Sequence, residues 1–455
     1  MGTVHRSSGF IALPAQVLWD ALVDLERLPR WQPFVVSAVL RDPVALGARL
    51  DWTPELRASW IHRRFAPPAT VVEFEPERAL AIAQEEPAGN TTLRWTLRPV
   101  DRGTVVEQAV TADGPSAPLF DRMVARRFAA DADTALARLA MLAGPPRAAE
   151  PLNVVIAGGT GALGRRVAAD LVRRGHDVTI LTRSIRADVP YPQVTWDGRT
   201  VGAWSAVLDG PNTAVINLAG KLVDCRPTAA NIAALTSSRV DATRALVEAA
   251  RGRGVRRWVQ ASTTAIWSDA GERWCTEDTP LPDPGLPQMT GVARPWEEAS
   301  ADAETAHRTV LRTSIVLDTD SPAMAKMVGV TRAFLGGSLG DGRQWFSWIH
   351  RDDWLAVVRA GLGIEPGVDL PDGVVVAAAP SPVRNADLMA ALRRHLHRPF
   401  APPTPAPVLA LGAIGMRSDP ALGLTGRHAT STVLPAAGFR FAHPTLDGAL
   451  ADLLG

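Results

Sequence analysis

The stretch Ala157-Gly158-Gly159-Thr160-Gly161-Ala162-Leu163-Gly164 constrains this chain more than any other. An apolar run, Leu152-Asn153-Val154-Val155-Ile156-Ala157, leads into it, and a helical pattern, Arg165 to Arg174, leads out and stops at Gly175. Within it Gly159, Gly161 and Gly164 stand at G-x-G-x-x-G spacing. Glycines there allow a tight turn and let backbone N–H groups approach a pyrophosphate, while the positive end of the helix faces the phosphates. A second apolar strand, Asp177-Val178-Thr179-Ile180-Leu181-Thr182, follows at the distance a βαβ unit requires. The pattern predicts a dinucleotide site lined by Gly158, Thr160, Gly161, Ala162, Leu163 and Gly164.

Further strands are expected at Ala214–Ala219, Arg257–Ser262 and Thr309–Arg312, with a helix over Arg239–Arg251. Strands alternating with helices predict a parallel sheet. The end of the second strand selects the nucleotide. A carboxylate there would bond the ribose hydroxyls of NAD, but this chain has Thr182-Arg183-Ser184. A guanidinium pairs with a 2′-phosphate, so Arg183 and Ser184 point to NADP, with NAD the alternative.

At roughly 150 residues per domain, 455 residues allow about three domains. The sharpest break is Gly144-Pro145-Pro146-Arg147-Ala148-Ala149-Glu150-Pro151, which cannot continue a helix and reads as a linker. Before it, apolar residues from Phe120 to Leu142 recur at helical spacing. Upstream lie short alternating stretches at 70–74, 92–97 and 104–110, and near the start a strand around Gly9–Leu13 precedes a helix, Pro14 to Leu22. The last 75 or so residues carry a proline cluster, Pro399 to Pro407, and short helical pieces. The expected division is 1–143, a linker at 144–151, a nucleotide-binding domain at 152–380 and a small domain at 381–455.

Lys+Arg is 48 and Asp+Glu 47, a balance that removes the electrostatic argument for a nucleic-acid or anionic-membrane partner. The only lysines are Lys221 and Lys326 and the only tyrosine is Tyr191, so any mechanism needing these groups has few candidates. Cys225 and Cys275 are too few for a disulfide framework or a zinc site, and no metal site is expected. The amino terminus, Met1-Gly2-Thr3-Val4-His5-Arg6, lacks a signal-peptide pattern. No apolar run reaches the ~20 residues that span a bilayer; the nearest, 408–416, is short. A soluble cytoplasmic protein acting on a small molecule is expected.

Gly158-x-x-Gly161-x-x-Gly164 and Asn217-Leu218-Ala219-Gly220 resemble the extended branch of the short-chain dehydrogenase/reductase superfamily. Trp296-Glu297-Glu298-Ala299, Leu311-Arg312-Thr313-Ser314-Ile315-Val316-Leu317, Gly342-Arg343-Gln344 and Trp348-Ile349-His350-Arg351-Asp352-Asp353 narrow the resemblance to the nucleoside-diphosphate-sugar epimerase-like proteins. Pro382-Val383-Arg384-Asn385 with Leu396-His397-Arg398-Pro399 resembles that subfamily's carboxy-terminal domain of unknown function. The first domain is similar to the START-related polyketide cyclases and lipid carriers, through Trp19-Asp20, Asp24, Leu28-Pro29-Arg30-Trp31 and the long final helix. These resemblances imply an α/β chain: a Rossmann-type doubly wound parallel sheet with a small C-terminal α/β subdomain, preceded by an α+β helix-grip (START-related) domain with an apolar cavity for a ligand. They also imply that Leu218, Ala219 and Gly220 contact the cofactor.

Superfamily catalysis uses Ser/Thr with Tyr-x-x-x-Lys on a helix, the lysine lowering the tyrosine pKa so that it can exchange a proton with substrate. This chain has no Tyr-x-x-x-Lys. The segment before Trp296 reads Gln288-Met289-Thr290-Gly291-Val292-Ala293-Arg294-Pro295, and Tyr191 sits in a Pro-Tyr-Pro loop after the second strand. Ile266-Trp267 fills the subfamily's aromatic position, where an indole cannot act as a phenol. Ser262 carries over as a substrate-orienting hydroxyl, its alternative being a strand-end cap. Lys221 and Arg343 are the candidate substrate contacts, against an exposed loop residue and a surface ion pair. Glu297 and Glu298 read as a helix start with a solvated face, and His350 to Asp353 as structural. His395 and His397 would lie about 200° apart on a helix and make no metal pair. Two functions follow: an oxidoreductase or epimerase on a small carbonyl or hydroxyl compound, or a non-catalytic nucleotide sensor. An apolar-ligand carrier working through the first domain is a third.

Overall fold

A computed structural model describes residues 3–56, 66–415 and 418–454, the side chains of 413–415 excepted. Met1 and Gly2, and Met416 at the end of the apolar run 408–416, lie outside the described residues.

Alternation builds the first sheet. Strands β1 (Thr3–Ile11), β2 (Val35–Leu40), β3 (Arg49–Pro54), β4 (Ala69–Glu75), β5 (Ala79–Glu86), β6 (Gly89–Val100) and β7 (Gly103–Asp113) pair antiparallel in the order β1-β7-β6-β5-β4-β3-β2. In β7 every second residue from Thr104 to Ala112 is buried, the period-2 pattern of a sheet with one face on a core. Helix α1 (Ala15–Val23) and the terminal helix α2 (Ala132–Ala143) cover that face, α2 through Ala135, Leu136, Leu139 and Ala140. A helical stretch from Ala117 to Ala130, with a π-turn over Asp121–Ala125, leads into α2. Trp31 and Trp95 meet edge to face inside the sheet at 5.5 Å, and Phe128 packs the same way on Phe34 and Trp52. A buried polar knot lies among these rings: Gln32 and the Trp95 indole both donate to Gln108 Oε1, at 2.5 and 3.0 Å.

The second sheet is wholly parallel. Its strands are β8 (Asn153–Ala157), β9 (Asp177–Thr182), β10 (Gln193–Thr195), β11 (Thr213–Asn217), β12 (Arg257–Thr263), β14 (Arg308–Thr313) and β18 (Gly373–Ala377), in the order β10-β9-β8-β11-β12-β14-β18. The chain runs outward from β8 to one edge, returns, and fills the other side from β11, so the direction reverses between β8 and β11. Ligands of open α/β sheets bind at such a reversal, outside the carboxyl ends of the strands. Helices α3 (Ala162–Arg173), α4 (Ala229–Ala250), α5 (Thr290–Glu298) and α7 (Arg351–Gly361) pack on the sheet, and α6 (Pro322–Arg332) lies outside it. Small pairs finish the fold: β13 (Trp274–Cys275) with β20 (His428–Ala429), β15 (Ile315–Leu317) with β17 (Trp348–His350), and β16 (Trp345–Phe346) with β19 (Val383–Arg384). Helices α8 (Asn385–His395) and α9 (Leu446–Leu454) share a core with Leu317, Met324 and Trp348.

The two sheets are joined by more than the proline segment. Helix α2 of the first domain lies along α3, and Ala137 enters the core of the second. Arg166 of α3 binds Asp133 of α2 at 2.5 Å and Asp318 at 3.1 Å, and also Asp320; Arg173 meets Asp133 at 3.1 Å. Ala12 N–H donates to Arg173 O, and the Arg173 guanidinium occupies the space a Cβ on Gly9 would take. No helix is long and apolar enough to cross a membrane among the described residues.

Candidate functional site

The glycine loop closes by steric necessity. Gly158 has φ +80°, and a Cβ there would stand 2.7 Å from Leu218 O. A Cβ on Gly164 would stand 2.5 Å from Gly158 O, and one on Gly159 would strike the Ile180 side chain. Gly161, at the N-cap of α3, brings no side chain to the first turn. The leading N–H groups of the helix are thus left for a ligand at the positive end of the dipole. Thr160, Ala162 and Leu163 complete the loop, and Leu218, Ala219 and Gly220 face it from the end of β11, where Leu218 N–H binds Ala157 O. Asn217 fixes that end: its buried amide donates to Thr243 and Gln260, and its oxygen accepts Ala219 N–H.

At the tip of β9, Arg183 is exposed and forms no ion pair among the described residues. Ser184 N–H is held by Thr182 Oγ1. Beside them lies a guanidinium pair that the sequence reading did not select. Arg165 reaches back to Thr160 O at 3.0 Å and to Asp188 at 2.8 Å, and Arg186 meets the same carboxylate at 3.1 Å. Hydrogen bonds from Arg186 and then Arg165 bring the Asp188 pKa down to about 2.

At the carboxyl end of β12 the Ser262 hydroxyl is not free. It donates to Glu297 Oε1 at 2.5 Å, and Glu297 is itself held by two 2.9 Å bonds from Arg312. Glu297 lies at the end of α5, partly buried in this triad, rather than at a helix start on a solvated face; Glu298 is exposed. Thr263, the last residue of β12, is the hydroxyl left available: its oxygen accepts Ala265 N–H, and its own proton has no acceptor among the described residues.

The structure disperses the other ionisable candidates. Tyr191 is in the core near the domain junction, its hydroxyl unpartnered and its pKa raised by burial. Lys221 is exposed and donates to Asn231 Oδ1 at 3.2 Å. Asp224 is tied to Lys326 and Ser418, at 2.5 Å each, and Cys225 and Cys275 are free thiols. Arg343 is exposed and forms no ion pair among the described residues, and its charge acts on Glu272. His350 caps α7 by accepting Asp352 N–H at 3.2 Å and meets Asp452 at 3.2 Å, and Asp353 holds the backbone of Ala442 and His443. His395 ends α8 and His397 lies beyond it at φ +54°.

Two partly or wholly buried arginines near this end of the sheet form no ion pair with a carboxylate among the described residues. Arg239 lies over the Trp296 ring and binds the carbonyls of Leu235 and Lys221; burial brings its pKa to about 10. Arg427, just before β20, binds Ser268 O at 2.7 Å, Thr425 Oγ1 at 2.9 Å and Met289 Sδ at 2.7 Å. Neither belongs to a recognisable motif.

Comparison with known proteins matches this geometry. Residues 154–288 match the NAD dependent epimerase/dehydratase family, residues 3–144 the family described as polyketide cyclase / dehydrase and lipid transport, and residues 404–453 a domain of unknown function. The epimerase family protein YfhF of Bacillus subtilis (strain 168) is 30% identical over 315 residues, 67% of this chain and 98% of that protein. Epimerase family protein SDR39U1 of Bos taurus is 28% identical over 67% of this chain and 100% of its own length. A crystal structure of human epimerase family protein SDR39U1 (isoform 2) with NADPH superposes with a TM-score of 0.57 at 26% identity, over 66% of this chain and 98% of that one. A nucleoside-diphosphate sugar epimerase from Corynebacterium glutamicum shares the fold across both sheets, with a TM-score of 0.60 at 22% identity over 99% of this chain and 90% of that one. From about residue 152 onward the chain therefore belongs to the epimerase family of extended short-chain dehydrogenases/reductases, and it carries a polyketide-cyclase-like helix-grip domain in front.

Proposed function

We propose that the protein binds NADP(H) across the carboxyl end of the parallel sheet and acts as an oxidoreductase or epimerase on a small carbonyl or hydroxyl compound. The observation that carries the reading is the pairing of a glycine loop that admits no Cβ at Gly158 or Gly164 with an Arg183 at the tip of β9 that has no ion pair among the described residues. Gly158 to Gly164 would hold the pyrophosphate, Arg183 and Ser184 the 2′-phosphate, and Leu218 to Gly220 the far ribose. The relative solved with NADPH supports that preference. When bound, the dinucleotide supplies or accepts the hydride.

The protein's own part is orientation and proton supply. Thr263 would donate a hydrogen bond to the substrate oxygen at the end of β12, with solvent water replacing any proton it passes on, and Lys221 stands past the end of the adjacent β11. Helix α5 offers no phenol and no lysine, so this proton path departs from the Tyr-x-x-x-Lys relay. Isothermal titration of NADPH and NADH against wild type and Arg183→Ala tests the nucleotide half. NADPH should bind more tightly, and the substitution should remove about tenfold to a hundredfold of that preference, the worth of one charge-assisted contact. Equal binding of both nucleotides by wild type, or none, would sink it. Hydride exchange from labelled NADPH, lost in Thr263→Val, tests the chemical half.

A non-catalytic nucleotide sensor is the second reading. The weld of α2 onto α3 favours it, because the helix that starts at the glycine loop also carries the first domain. A sensor would bind NADPH, show no exchange with any carbonyl compound, and change the exposure of the α2–α3 junction.

A further inference from the structure

Most buried guanidiniums of this chain face carboxylates. Arg166 and Arg173 meet Asp133, Arg312 meets Glu297, and Arg359 meets Asp170 and Glu365. Arg427 does not. Its Nε donates to Ser268 O and one terminal nitrogen to Thr425 Oγ1 and Met289 Sδ, three neutral partners that fix the plane of the fork. The other terminal nitrogen has no partner among the described residues. The nearby acid, Asp269, accepts Gly426 N–H at 3.0 Å and makes no ion pair with Arg427. Glu272 is taken by Arg384 and the Trp345 indole. Burial lowers the Arg427 pKa to about 10, which still leaves the group charged at neutral pH.

Its position gives that charge a use. Ser268 follows β12 and Met289 immediately precedes α5, so the fork bridges the carboxyl end of β12 and the start of α5. Arg427 N–H also binds Trp345 O. The Trp345 ring is stacked on His428 at 3.7 Å, with the Arg384 guanidinium 3.9 Å from its centroid. The surroundings are aromatic and positive, and the carboxylate that acts on Arg427, Asp269, is exposed, held by Gly426 N–H and beyond ion-pair distance. A rigid fork with one open edge, in a partly desolvated positive site, suits a planar or tetrahedral oxyanion.

We infer that Arg427 receives an anionic group of the substrate, a phosphate ester or a carboxylate, and thereby sets the substrate's orientation across the end of β12. This deepens the proposed function and rests on it for the location of the reacting centre. Arg427 is a positioning residue in this scheme; Thr263 would meet the reacting oxygen.

The test uses the full-length protein saturated with NADPH, so that the glycine loop is occupied, with pyrophosphate and malonate as probes in isothermal titration. Wild type should bind at least one of them, and the stronger of the two assigns phosphate ester or carboxylate. R427Q should weaken that binding at least tenfold while leaving NADPH affinity unchanged, and R427K, which keeps the charge without the fork, should recover only part of it. In the unaltered protein, phenylglyoxal should modify Arg427, and the bound anion should protect it, as read by peptide mass spectrometry. Equal anion binding by wild type and R427Q, or modification of Arg427 that neither probe slows, overturns the inference. Failure of NADPH to bind would overturn the cofactor reading, and the phenylglyoxal protection would still decide on Arg427.

Discussion

Gly158 and Gly164 keep the nucleotide loop closed for different physical reasons. At Gly158 the backbone itself demands glycine, with φ +80°; at Gly164 the conformation is ordinary helix and the obstacle is Gly158 O, 2.5 Å from where a Cβ would stand. Gly164→Ala should therefore push α3 away from the loop, cost about 1–3 kcal/mol of stability as an overpacked site does, and weaken NADPH at least tenfold. Urea unfolding and nucleotide titration would check it; a variant that binds as wild type would show that the loop yields. This part of the site was legible because few residue types fit a turn that must bring backbone against phosphate. Arg427 was not, because its anchors Ser268 and Met289 lie 159 and 138 positions away in the chain. Ser262 and Thr263 are neighbours in sequence, and alternation along β12 sends their side chains to opposite faces. Only the structure tells which hydroxyl Glu297 has claimed.

At the scale of elements, a segment with one burial pattern is legible in the sequence and a segment with none is not. Strand β9 lies at 177–182, as its apolar run indicates, while α4 starts ten residues before the expected Arg239. Its first turns, from Ala229 on, are exposed or half-buried and show no apolar stripe, and the start is marked only by Thr228 accepting Asn231 N–H. Strands β2, β3 and β5 carry little signal in the sequence: β2 is short, β3 ends in a buried Trp-Thr-Pro, and β5 is buried at every residue from Ala79 to Ile82, so alternation fails as a signal. Glu297 shows how elements are locked together. It joins α5 to β12 and β14, with the Arg312 guanidinium over the Trp267 ring. Glu297→Leu should cost about 3–5 kcal/mol, because it strands a buried cation. Glu297→Leu with Arg312→Met should recover most of that loss in chemical denaturation; if the double variant is as unstable as the single, the pair is not the cause.

Across the whole molecule, the junction of α2 with α3 decides whether the chain behaves as one unit or two. Burial alone would raise the Asp133 pKa, but the guanidiniums of Arg173 and Arg166 overcome it and hold the carboxyl below its usual range. Asp170, one turn along α3 from Arg166, is likewise brought to about 2 against burial, by Arg359, Arg174 and Arg173. A carboxylate whose folded pKa is depressed contributes stability that is complete above its unfolded pKa, near 3.8, and is lost as pH falls through the folded value. The contribution of this network to stability should therefore hold steady from pH 7 to about 5 and fall between about pH 4 and pH 2, as the difference in melting temperature between wild type and Asp133→Asn reads it. Asp133→Asn should lose about 3 kcal/mol at pH 7, the lower end for removing one partner from a buried pair, since Arg166 keeps Asp318 and Arg173 keeps Asp170. Its acid decline should then be shallower, because one of the titrating carboxylates is gone. Calorimetry adds the structural consequence: wild type should unfold in a single transition at pH 7, and Asp133→Asn should separate the helix-grip domain from the parallel-sheet domain into two. Two transitions in wild type would mean that the proline segment, and not the ion network, is what connects the domains. NADPH bound at the start of α3 would then have no rigid path to the first domain, and the sensor reading would lose its support.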